Sequence, residues 1–380
     1  MATSVLFLHH VSEISGGERS LQLLLRHLDR ELVSPAFAGP AAGPFPTALA
    51  QEGIPVFPVD FGPVRDLRAV ARAVRRLVTL IRTQAIDLIH SNGPQTNVCG
   101  GLAARLAGIP SVWHARNLIY GRMWDLDRLC APLATRIICN SDAIRERFRG
   151  SRGWGRSVTI LNAVDTAEFH PGVPREPFRR EMGLEADEVA VGIVGRIGLG
   201  KGHTEFVEAA VGVLQAGLPA RFFIVGDTIF PEDAWRRREL QGRVDRAGAS
   251  QRIHFTGFRQ DIPLIMRGLD IVVLASDAEP CGRVLFEAMA SGVAIVATET
   301  GGTPEIVRHD QEGLLVPPRD RDALAGAIAA LIREPGRRTR LGEAGVARVR
   351  AEFAVERYVA RTMEVYQSIL PPGVIRTEKL

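Results

Sequence analysis

Short apolar runs alternate with helical patterns along almost the whole chain, and this alternation constrains the fold more than any other feature. The first run, 5–10, leads through two glycines into a helical pattern, and further apolar runs follow at 85–92, 110–115 and 135–141. Each run ends in small or polar residues. Repeated strand–turn–helix units form parallel sheets covered by helices on both faces, and ligands bind at the carboxyl ends of their strands. The sequence therefore predicts an α/β fold with doubly wound parallel sheets.

The alternation stops at a cluster of prolines in the middle of the chain and then starts again. Pro171, Pro174 and Pro177 lie close together, which is typical of a linker. Apolar runs return at 189–196, 220–227, 251–258, 270–276 and 293–298. A chain of 380 residues also favours two domains of ordinary size. We expect two Rossmann-like domains facing each other across a cleft, with boundaries at 1–170 for the first domain, 171–178 for the linker, 179–355 for the second domain and 356–380 for a C-terminal helix that crosses back to the first.

Composition and charge favour a soluble cytoplasmic protein. Hydrophobic residues make up 46% of the chain and charged residues 24%, so each half can bury a core. The four cysteines form no Cys-x-x-Cys pair, which fits a reducing compartment better than disulfides or a zinc site. No apolar stretch reaches the roughly 18 residues of a membrane span, and the N-terminus has no basic leader. A net charge of +4 with 6% aromatic residues does not indicate a nucleic-acid partner.

Two glutamates separated by seven residues, Glu279 and Glu287, form the most specific motif. Glu279 follows an apolar run, so we place it on a loop at the carboxyl edge of a sheet. Gly282 allows a turn into the next helix, whose first N–H groups form an anion site. Carboxylates on either side of an anion site suit a ligand with a phosphate between two hydroxylated groups, such as a nucleotide-sugar. The alternative is an ordinary acidic helix start.

A glycine-rich loop at Gly195–Gly202 carries Arg196 and Lys201 between a strand and a helix. It resembles a phosphate-binding P-loop, but Gly202 occupies the position of the Ser or Thr that would hold magnesium. The two cations could instead neutralise a leaving diphosphate without a metal. Lys201 and Lys379 are the only lysines among 47 Lys and Arg, which suggests that Lys201 occupies a site where only an ammonium fits. The alternative is a surface turn with two solvated cations.

Together these motifs resemble the retaining glycosyltransferases of family four, which have the GT-B fold and act in polysaccharide or glycolipid biosynthesis. The resemblance rests on the two glutamates with their continuation through 287–307 and 312–328, on GRIGLGKGH, on the HPGVP linker and on SGGERSL near the N-terminus. It covers nearly the whole chain and is most specific in the second half. It implies a metal-independent transfer of sugar from a nucleoside-diphosphate sugar to a glycan, lipid-linked or small-molecule acceptor, with no cofactor.

The resemblance also implies roles for particular residues. Arg196 and Lys201 would grip the donor diphosphate, Glu279 the hydroxyls of the transferred sugar and Glu287 the ribose. His114 would reach the sugar from the first domain; the alternative is a core-edge histidine without a function. The other expected contacts are the glycine loop Gly16 and Gly17 near the diphosphate, the amides of Gly282, Arg283, Val284 and Leu285, and the base-pocket segment Thr256, Gly257 and Phe258. The pattern differs from the family's at Cys281, where an aromatic residue is common, and at Ala163.

Two questions stay open at the level of sequence. A sugar-nucleotide epimerase of the same fold and a non-catalytic nucleotide-sugar-binding protein share much of this pattern. A glycoside hydrolase would need both carboxylates on either side of one bond, and it would leave Arg196 and Lys201 unexplained. The second question concerns the basic helical pattern at 65–82, which is either a solvated face or a site of peripheral contact with an anionic membrane.

Overall fold

The structure is a computed structural model that describes residues 2–118, 125–229 and 233–371. It divides into a first unit, Met1–Asn162 with Val355–Leu380, and a second unit, Ala163–Ala354. Each unit contains a parallel sheet flanked by helices, so the predicted fold class of two Rossmann-like domains is confirmed.

The described residues of the first unit form a sheet of seven strands, and all of its strand pairs are parallel. Its elements in chain order are β1 (Thr3–Leu8), α1 (Gly16–His27), β2 (Val33–Gly39), α2 (Pro44–Gln51), β3 (Val56–Pro58), α3 (Leu67–Thr83), β4 (Leu88–Asn92), α4 (Pro94–Ala107), β5 (Ser111–Ala115), α5 (Leu126–Cys130), β6 (Arg136–Cys139), α6 (Asp142–Arg145) and β7 (Ser157–Thr159). The sheet order is β3-β2-β1-β4-β5-β6-β7.

In the second unit, the part that the structure describes forms a sheet of six strands, again paired in parallel. Its elements are α7 (Glu176–Glu181), β8 (Val189–Val194), α8 (His203–Gln215), β9 (Ala220–Val225), α9 (Ala234–Arg246), β10 (Ile253–Gly257), α10 (Ile262–Gly268), β11 (Ile271–Leu274), α11 (Arg283–Ala290), β12 (Ala294–Thr298), α12 (Thr303–Ile306), β13 (Gly313–Val316), α13 (Arg321–Arg333) and α14 (Pro335–Arg348). The sheet order is β10-β9-β8-β11-β12-β13.

Both sheets are buried on two faces, which explains the continuous apolar runs in the sequence. All five residues of β4 and of β5 are buried, and in the first unit Leu6, Leu77 and Ile89 join strands to helix α3 in one apolar cluster. A second cluster joins β8, β9 and β11 to α8 and α13 in the second unit.

The strand order reverses next to the first strand of each sheet. Beside β1 lie β2 and β4, and beside β8 lie β9 and β11. Helices on opposite faces diverge at such a point, and a crevice opens at the carboxyl ends of the two central strands. In the second unit this edge carries the loops that follow β8 and β11. The register pairs Ile271 with Val191, so the loops that contain Lys201 and Glu279 leave the sheet side by side.

The chain passes from the first unit to the second between Asn162 and Ala163, ahead of the predicted linker at 171–178. The prolines of that segment do not all interrupt structure, because Pro177 lies in the first turn of α7, where a missing N–H costs nothing. The final helix, α15 (Val355–Gln367), belongs to the first unit and packs against α1. A π-helical turn at Val349–Phe353 and an extended Ala354 separate this helix from α14.

Candidate active site

An ion pair lies at the carboxyl edge of the second sheet, between the loops after β8 and β11. The Lys201 ammonium donates to Glu279 Oε2 across 2.8 Å, and Ser276 Oγ donates to the same oxygen across 3.1 Å. The Glu279 side chain is 9% exposed and the Lys201 side chain 36%. Two residues that the sequence singled out in separate motifs are therefore in direct contact.

The backbone around Gly202 holds the lysine loop against the neighbouring strand. Gly202 has φ +70°, and a Cβ atom there would lie 1.9 Å from the carbonyl oxygen of Ala275. The Asp277 N–H donates to the Gly200 carbonyl across 2.9 Å and joins the two loops again. Glycine is therefore required at 202 both by its φ and by this close approach. The same contact explains why a P-loop hydroxyl is absent at this position.

Arg196, on the same glycine loop, has a different carboxylate partner. Its Nη1 donates to Asp233 Oδ2 across 2.8 Å, and Arg236 Nε donates to Asp233 Oδ1 across 2.8 Å. Asp233 is buried and precedes α9. The two cations of the loop are thus each paired with a carboxylate, Lys201 with Glu279 and Arg196 with Asp233.

The loop that carries Glu279 leads into helix α11, which begins at Arg283 with Gly282 as its N-cap residue. The first-turn amides at 283–285 include N–H groups that an α-helix leaves without an intrahelical acceptor. The Gly302 N–H donates to the Glu279 carbonyl across 2.8 Å and fixes the loop that leads into this helix. Further along, Arg283 Nη2 donates to Glu287 Oε1 across 2.6 Å, so Glu287 is held on the same helix.

The predicted base-pocket segment lies at the end of β10. The Gly226 N–H donates to the Gly257 carbonyl across 2.9 Å, which ties this segment to the end of β9. Thr256 is half-buried, whereas Phe258 is 63% exposed as a whole residue. An aromatic ring exposed at the edge of a sheet offers a stacking surface for a base.

In the first unit, Gly16 and Gly17 do not form a loop but are the first two residues of α1. Ser15 and Glu18 form a capping box, so the helix already begins at Gly16 and includes both glycines. Glu18 also accepts from His9 Nε2 across 2.5 Å. Burial would raise the pKa of Glu18, but the hydrogen bond and charge of His9, with the hydrogen bonds from Ser15, lower it to about 2.

His114 is fully buried at the end of β5, beside two partners that sequence reasoning did not identify. Arg116 Nη2 lies 3.1 Å from His114 Nδ1, and His90 Nε2 lies 3.3 Å from the same atom. Burial, then the charge of Arg116, lowers the pKa of His114 well below 6.5 and that of His90 to about 3. Both rings are therefore neutral at pH 7. Of all the residues that the structure describes, none accepts from or donates to His114 Nε2.

Arg116 connects these histidines to other side chains of the first unit. Its guanidinium donates to Asn92 Oδ1 at 3.3 Å, to Ser20 Oγ at 3.0 Å and to Asn162 Oδ1 at 3.0 Å. It stands two residues after His114 in WHARN, at the carboxyl edge of the sheet. That position was the one sequence signal that could have identified Arg116 as a site residue, since cations at strand ends are candidates for ligand contact.

Within residues 2–118, 125–229 and 233–371, no group of three or more His, Cys, Asp or Glu side chains is arranged to hold a metal ion. No helix in those ranges combines the length and apolar character needed to cross a membrane.

Two family models match the chain in succession. The model described as Glycosyltransferase Family 4 matches residues 14–168, and the model described as Glycosyl transferases group 1 matches residues 174–348. The first match falls in the first unit except for its end at 163–168, and the second match lies within the second unit.

Characterised relatives with similar sequences are bacterial glycosyltransferases. The chain is 30% identical over 322 residues to the alpha-maltose-1-phosphate synthase of Mycolicibacterium smegmatis, an alignment that covers 75% of this chain and 80% of the relative. It is 32% identical over 216 residues to the lipopolysaccharide core biosynthesis mannosyltransferase LpsB of Rhizobium meliloti, which covers 56% of this chain and 61% of the relative.

Among solved structures, Anabaena HepE in complex with UDP-glucose is similar over nearly the full length. It superimposes with a TM-score of 0.85 at 28% sequence identity, covering 96% of this chain and 99% of HepE. The two matching family models, the relatives and the pair of Rossmann-like folds agree with one another. The chain belongs to the family four glycosyltransferases, of GT-B fold.

Proposed function

We propose that the protein is a retaining, metal-independent glycosyltransferase that moves a sugar from a nucleoside-diphosphate sugar to a glycan, lipid-linked or small-molecule acceptor. The observation that carries the proposal is the contact between Lys201 and Glu279 at the point where the strand order of the second sheet reverses. This places an ammonium and a carboxylate within one hydrogen bond of each other, at the edge where such sheets bind ligands.

The two charges suit different parts of a nucleotide-sugar. A compact ammonium binds phosphate oxygens as a point charge, whereas a carboxylate accepts hydrogen bonds from sugar hydroxyls. Because Lys201 and Glu279 are adjacent, a diphosphate next to the lysine would bring its attached sugar next to the glutamate. The amides of Gly282, Arg283, Val284 and Leu285 at the start of α11 add partial positive charge on the same edge.

The proposed reaction needs its largest stabilisation at the leaving group. When the bond between the anomeric carbon and the diphosphate oxygen breaks, negative charge grows on the diphosphate. Lys201, Arg196 and the first turn of α11 would stabilise that charge, because fixed cations and dipoles need no reorganisation at the moment of reaction. The Asp233 ion pair holds Arg196 on the loop for this role. These groups supply the positive charge that a divalent cation provides in other transferases.

The remaining donor contacts follow the same edge. We assign the ribose to Glu287, whose carboxylate is held by Arg283, and the base to Thr256, Gly257 and the exposed Phe258 ring. Retention at the anomeric carbon is part of the proposal and follows the family resemblance. The binding of UDP-glucose by HepE supports UDP-glucose as the first donor to test. In the first unit, His114 and the helix start at Gly16 and Gly17 are the proposed ligand contacts.

We also propose that α3 lets the protein rest on an anionic membrane as a peripheral protein at its cytoplasmic face. Its buried side consists of Ala69, Ala73, Leu77, Leu80 and Ile81. The opposite side carries the exposed arginines 68, 72, 75, 76 and 82, whose guanidinium groups form no ion pair or hydrogen bond with any described residue. A row of unpaired guanidinium groups on one helix face attracts anionic lipid headgroups.

A ligand screen followed by product analysis tests the main proposal. Thermal unfolding would be measured with UDP, GDP and ADP and with their glucose or mannose conjugates, since a ligand at a hundredfold excess over its Kd stabilises by about 2.7 kcal/mol. The stabilising donor would then be incubated with candidate acceptors, and the anomeric configuration of the product read by NMR. An inverted anomeric centre would contradict retention. Conversion of the donor without an acceptor would indicate an epimerase, and binding without turnover a non-catalytic protein.

A further inference from the structure

The hydrogen bonds around His114 determine which of its nitrogens carries the proton. A guanidinium can only donate hydrogen bonds, and Arg116 Nη2 lies 3.1 Å from His114 Nδ1. That nitrogen must therefore present its lone pair. Since the ring is neutral, its single proton is on Nε2.

The same reasoning extends through His90 to the C-terminal helix. His90 Nε2 lies 3.3 Å from His114 Nδ1, and because that nitrogen accepts, His90 Nε2 carries a proton. His90 Nδ1 then has the lone pair, and it accepts from the Tyr366 hydroxyl across 2.6 Å. The Tyr366 hydroxyl is protonated at pH 7 and can donate, and burial raises its pKa further above the ordinary value. Without Arg116 this chain of hydrogen bonds could run in either direction, since each ring can exchange its donor and acceptor nitrogens.

We propose that Arg116 is a positioning residue that fixes His114 as the Nε2–H tautomer and thereby presents a buried N–H donor to an oxygen atom of the ligand. His114 Nε2 is buried and has no partner among the described residues. A buried donor without a partner lowers stability, so a ligand oxygen that accepts from it recovers the lost free energy. With the proposed function, that oxygen is a sugar hydroxyl. The tautomer of His114 does not depend on whether the ligand oxygen is a sugar hydroxyl.

The test reads the tautomer directly and does not require a known donor. The full chain, labelled with [15N]histidine, would be studied by long-range 1H–15N NMR at pH 7, with His114 assigned by the His114→Gln variant. We expect a protonated Nε2 and an unprotonated Nδ1 in His114. In Arg116→Met we expect both tautomers of His114 to be populated. Arg116→Lys keeps a cationic donor, so we expect its His114 to favour the Nε2–H tautomer again. A wild-type ring protonated at Nδ1 would overturn the proposal, as would a single Nε2–H tautomer in Arg116→Met.

A matched control separates this effect from a general loss of stability. Arg147 is also an arginine of the first unit with a mostly buried side chain, and its Nη2 pairs with Asp125 at 2.7 Å and with Asp127 at 3.3 Å. Arg147→Met should lower the melting temperature and leave the His114 ring signals unchanged. Once a transfer assay exists, Arg116→Met should lower kcat/KM roughly tenfold, the effect of weakening one hydrogen bond, and Arg116→Lys should recover part of the loss. A failed transfer assay would count against the proposed function, whereas the NMR result would still decide the tautomer.

Discussion

Lys201 and Glu279 lie 78 positions apart in the chain, yet the ammonium of one donates to the carboxylate of the other across 2.8 Å. The lysine follows β8 and the glutamate follows β11, and these two strands are neighbours in the second sheet. Two motifs that resemble separate binding elements in the sequence therefore form one electrostatic unit. Removing either charge changes the environment of the other.

Substitution of Lys201 tests the leaving-group proposal. Lys201→Ala should lower kcat by roughly 10²–10³, the loss typical of removing one preorganised donor to developing charge. Lys201→Arg should also be impaired, because a planar guanidinium cannot replace a compact ammonium on a tight glycine loop. Donor affinity should fall less than kcat, because the charge on the diphosphate grows towards the transition state. Steady-state kinetics and nucleotide titrations would measure both.

The control for this substitution is Arg319→Ala. Arg319 pairs with Asp277 across 2.8 Å on the same unit, but its side chain is 73% exposed. We expect near wild-type kcat from that variant. Transfer by Lys201→Ala at the wild-type rate would refute the assignment of the leaving group.

Lys201 and Glu279 should also be energetically coupled in the free energy of unfolding. Lys201→Ala leaves the Glu279 carboxylate buried with Ser276 as its remaining side-chain partner, so we expect a loss of about 1 kcal/mol, reduced by the partial exposure of the lysine. Adding Glu279→Gln should recover part of that loss, because the uncompensated charge is removed. Urea unfolding of both single variants and the double variant gives the coupling free energy. Strictly additive effects would mean that the contact contributes nothing to stability.

Chelation tests the metal-free reaction. Transfer should continue after dialysis against EDTA, because Arg196, Lys201 and the start of α11 supply the positive charge at the diphosphate. The measurement is the initial rate before and after chelation, with magnesium and manganese added back. Activity that disappears with EDTA and returns with either ion would contradict this part of the proposal.

We expect the protein to lose stability in mild acid because it contains buried histidines. Burial is the main cause of the lowered pKa values of His10 and His203, about 4 each, and of His90, about 3. These folded-state values lie below the unfolded value of 6.5, so the unfolded chain binds more protons, and stability falls as pH drops from 6.5 towards 4. Each histidine costs up to about 2 kcal/mol at pH 5.

Thermal unfolding between pH 4.5 and 7.5 measures this effect. The pKa of Glu18 is lowered to about 2, so its titration changes the stability below pH 4.5 and does not affect the measurement in this pH range. His203→Gln should show a shallower dependence on pH than the wild type. A melting temperature that stays constant from pH 7 to 5 would contradict neutral buried histidines.

Vesicle binding tests the basic face of α3. Vesicles with anionic lipid should retain the protein at low salt and release it at high salt, because exposed charges are screened. Arg75→Gln with Arg76→Gln should weaken binding. The control removes the same charge from the exposed Arg238 and Arg246 of α9 and should bind like the wild type. Equal partitioning onto neutral and anionic vesicles would leave α3 as an ordinary solvated helix.

The sequence predicted most strands, and those it missed have specific causes. The nine strands inferred from apolar runs are all present, because strands buried on both faces need continuous apolar residues. The strand β2 was missed because Pro35 argues against a central strand and its neighbours include small residues. The short strands β3, β7 and β13, with three, three and four residues, lie at the edges of their sheets and give almost no periodic signal.

The sequence offered candidate residue types for the site but not the contacts between them. Lys201, Glu279 and Arg196 each stand out by spacing or rarity, whereas the partners Asp233, Ser276 and Arg283 carry no motif of their own. Arg116 follows β5, whereas His90 lies in β4 and Tyr366 in α15, so only the tertiary fold reveals their hydrogen bonds. The start of α1 at Gly16 was missed because two glycines favour a loop, and the capping box of Ser15 and Glu18 outweighs that preference.

The close approach at Gly202 limits the mutational paths open to this loop. The sequence Gly-x4-Gly-Lys differs from a nucleotide-triphosphatase loop by one residue, and a single Gly202→Ser change would complete the motif. That change would bring a side chain into the Ala275 carbonyl and force φ +70° on a residue with a Cβ atom. The two loop types are therefore neighbours in sequence space but are separated by a steric barrier. A lineage could pass from one to the other only if the strand beneath the loop moved first.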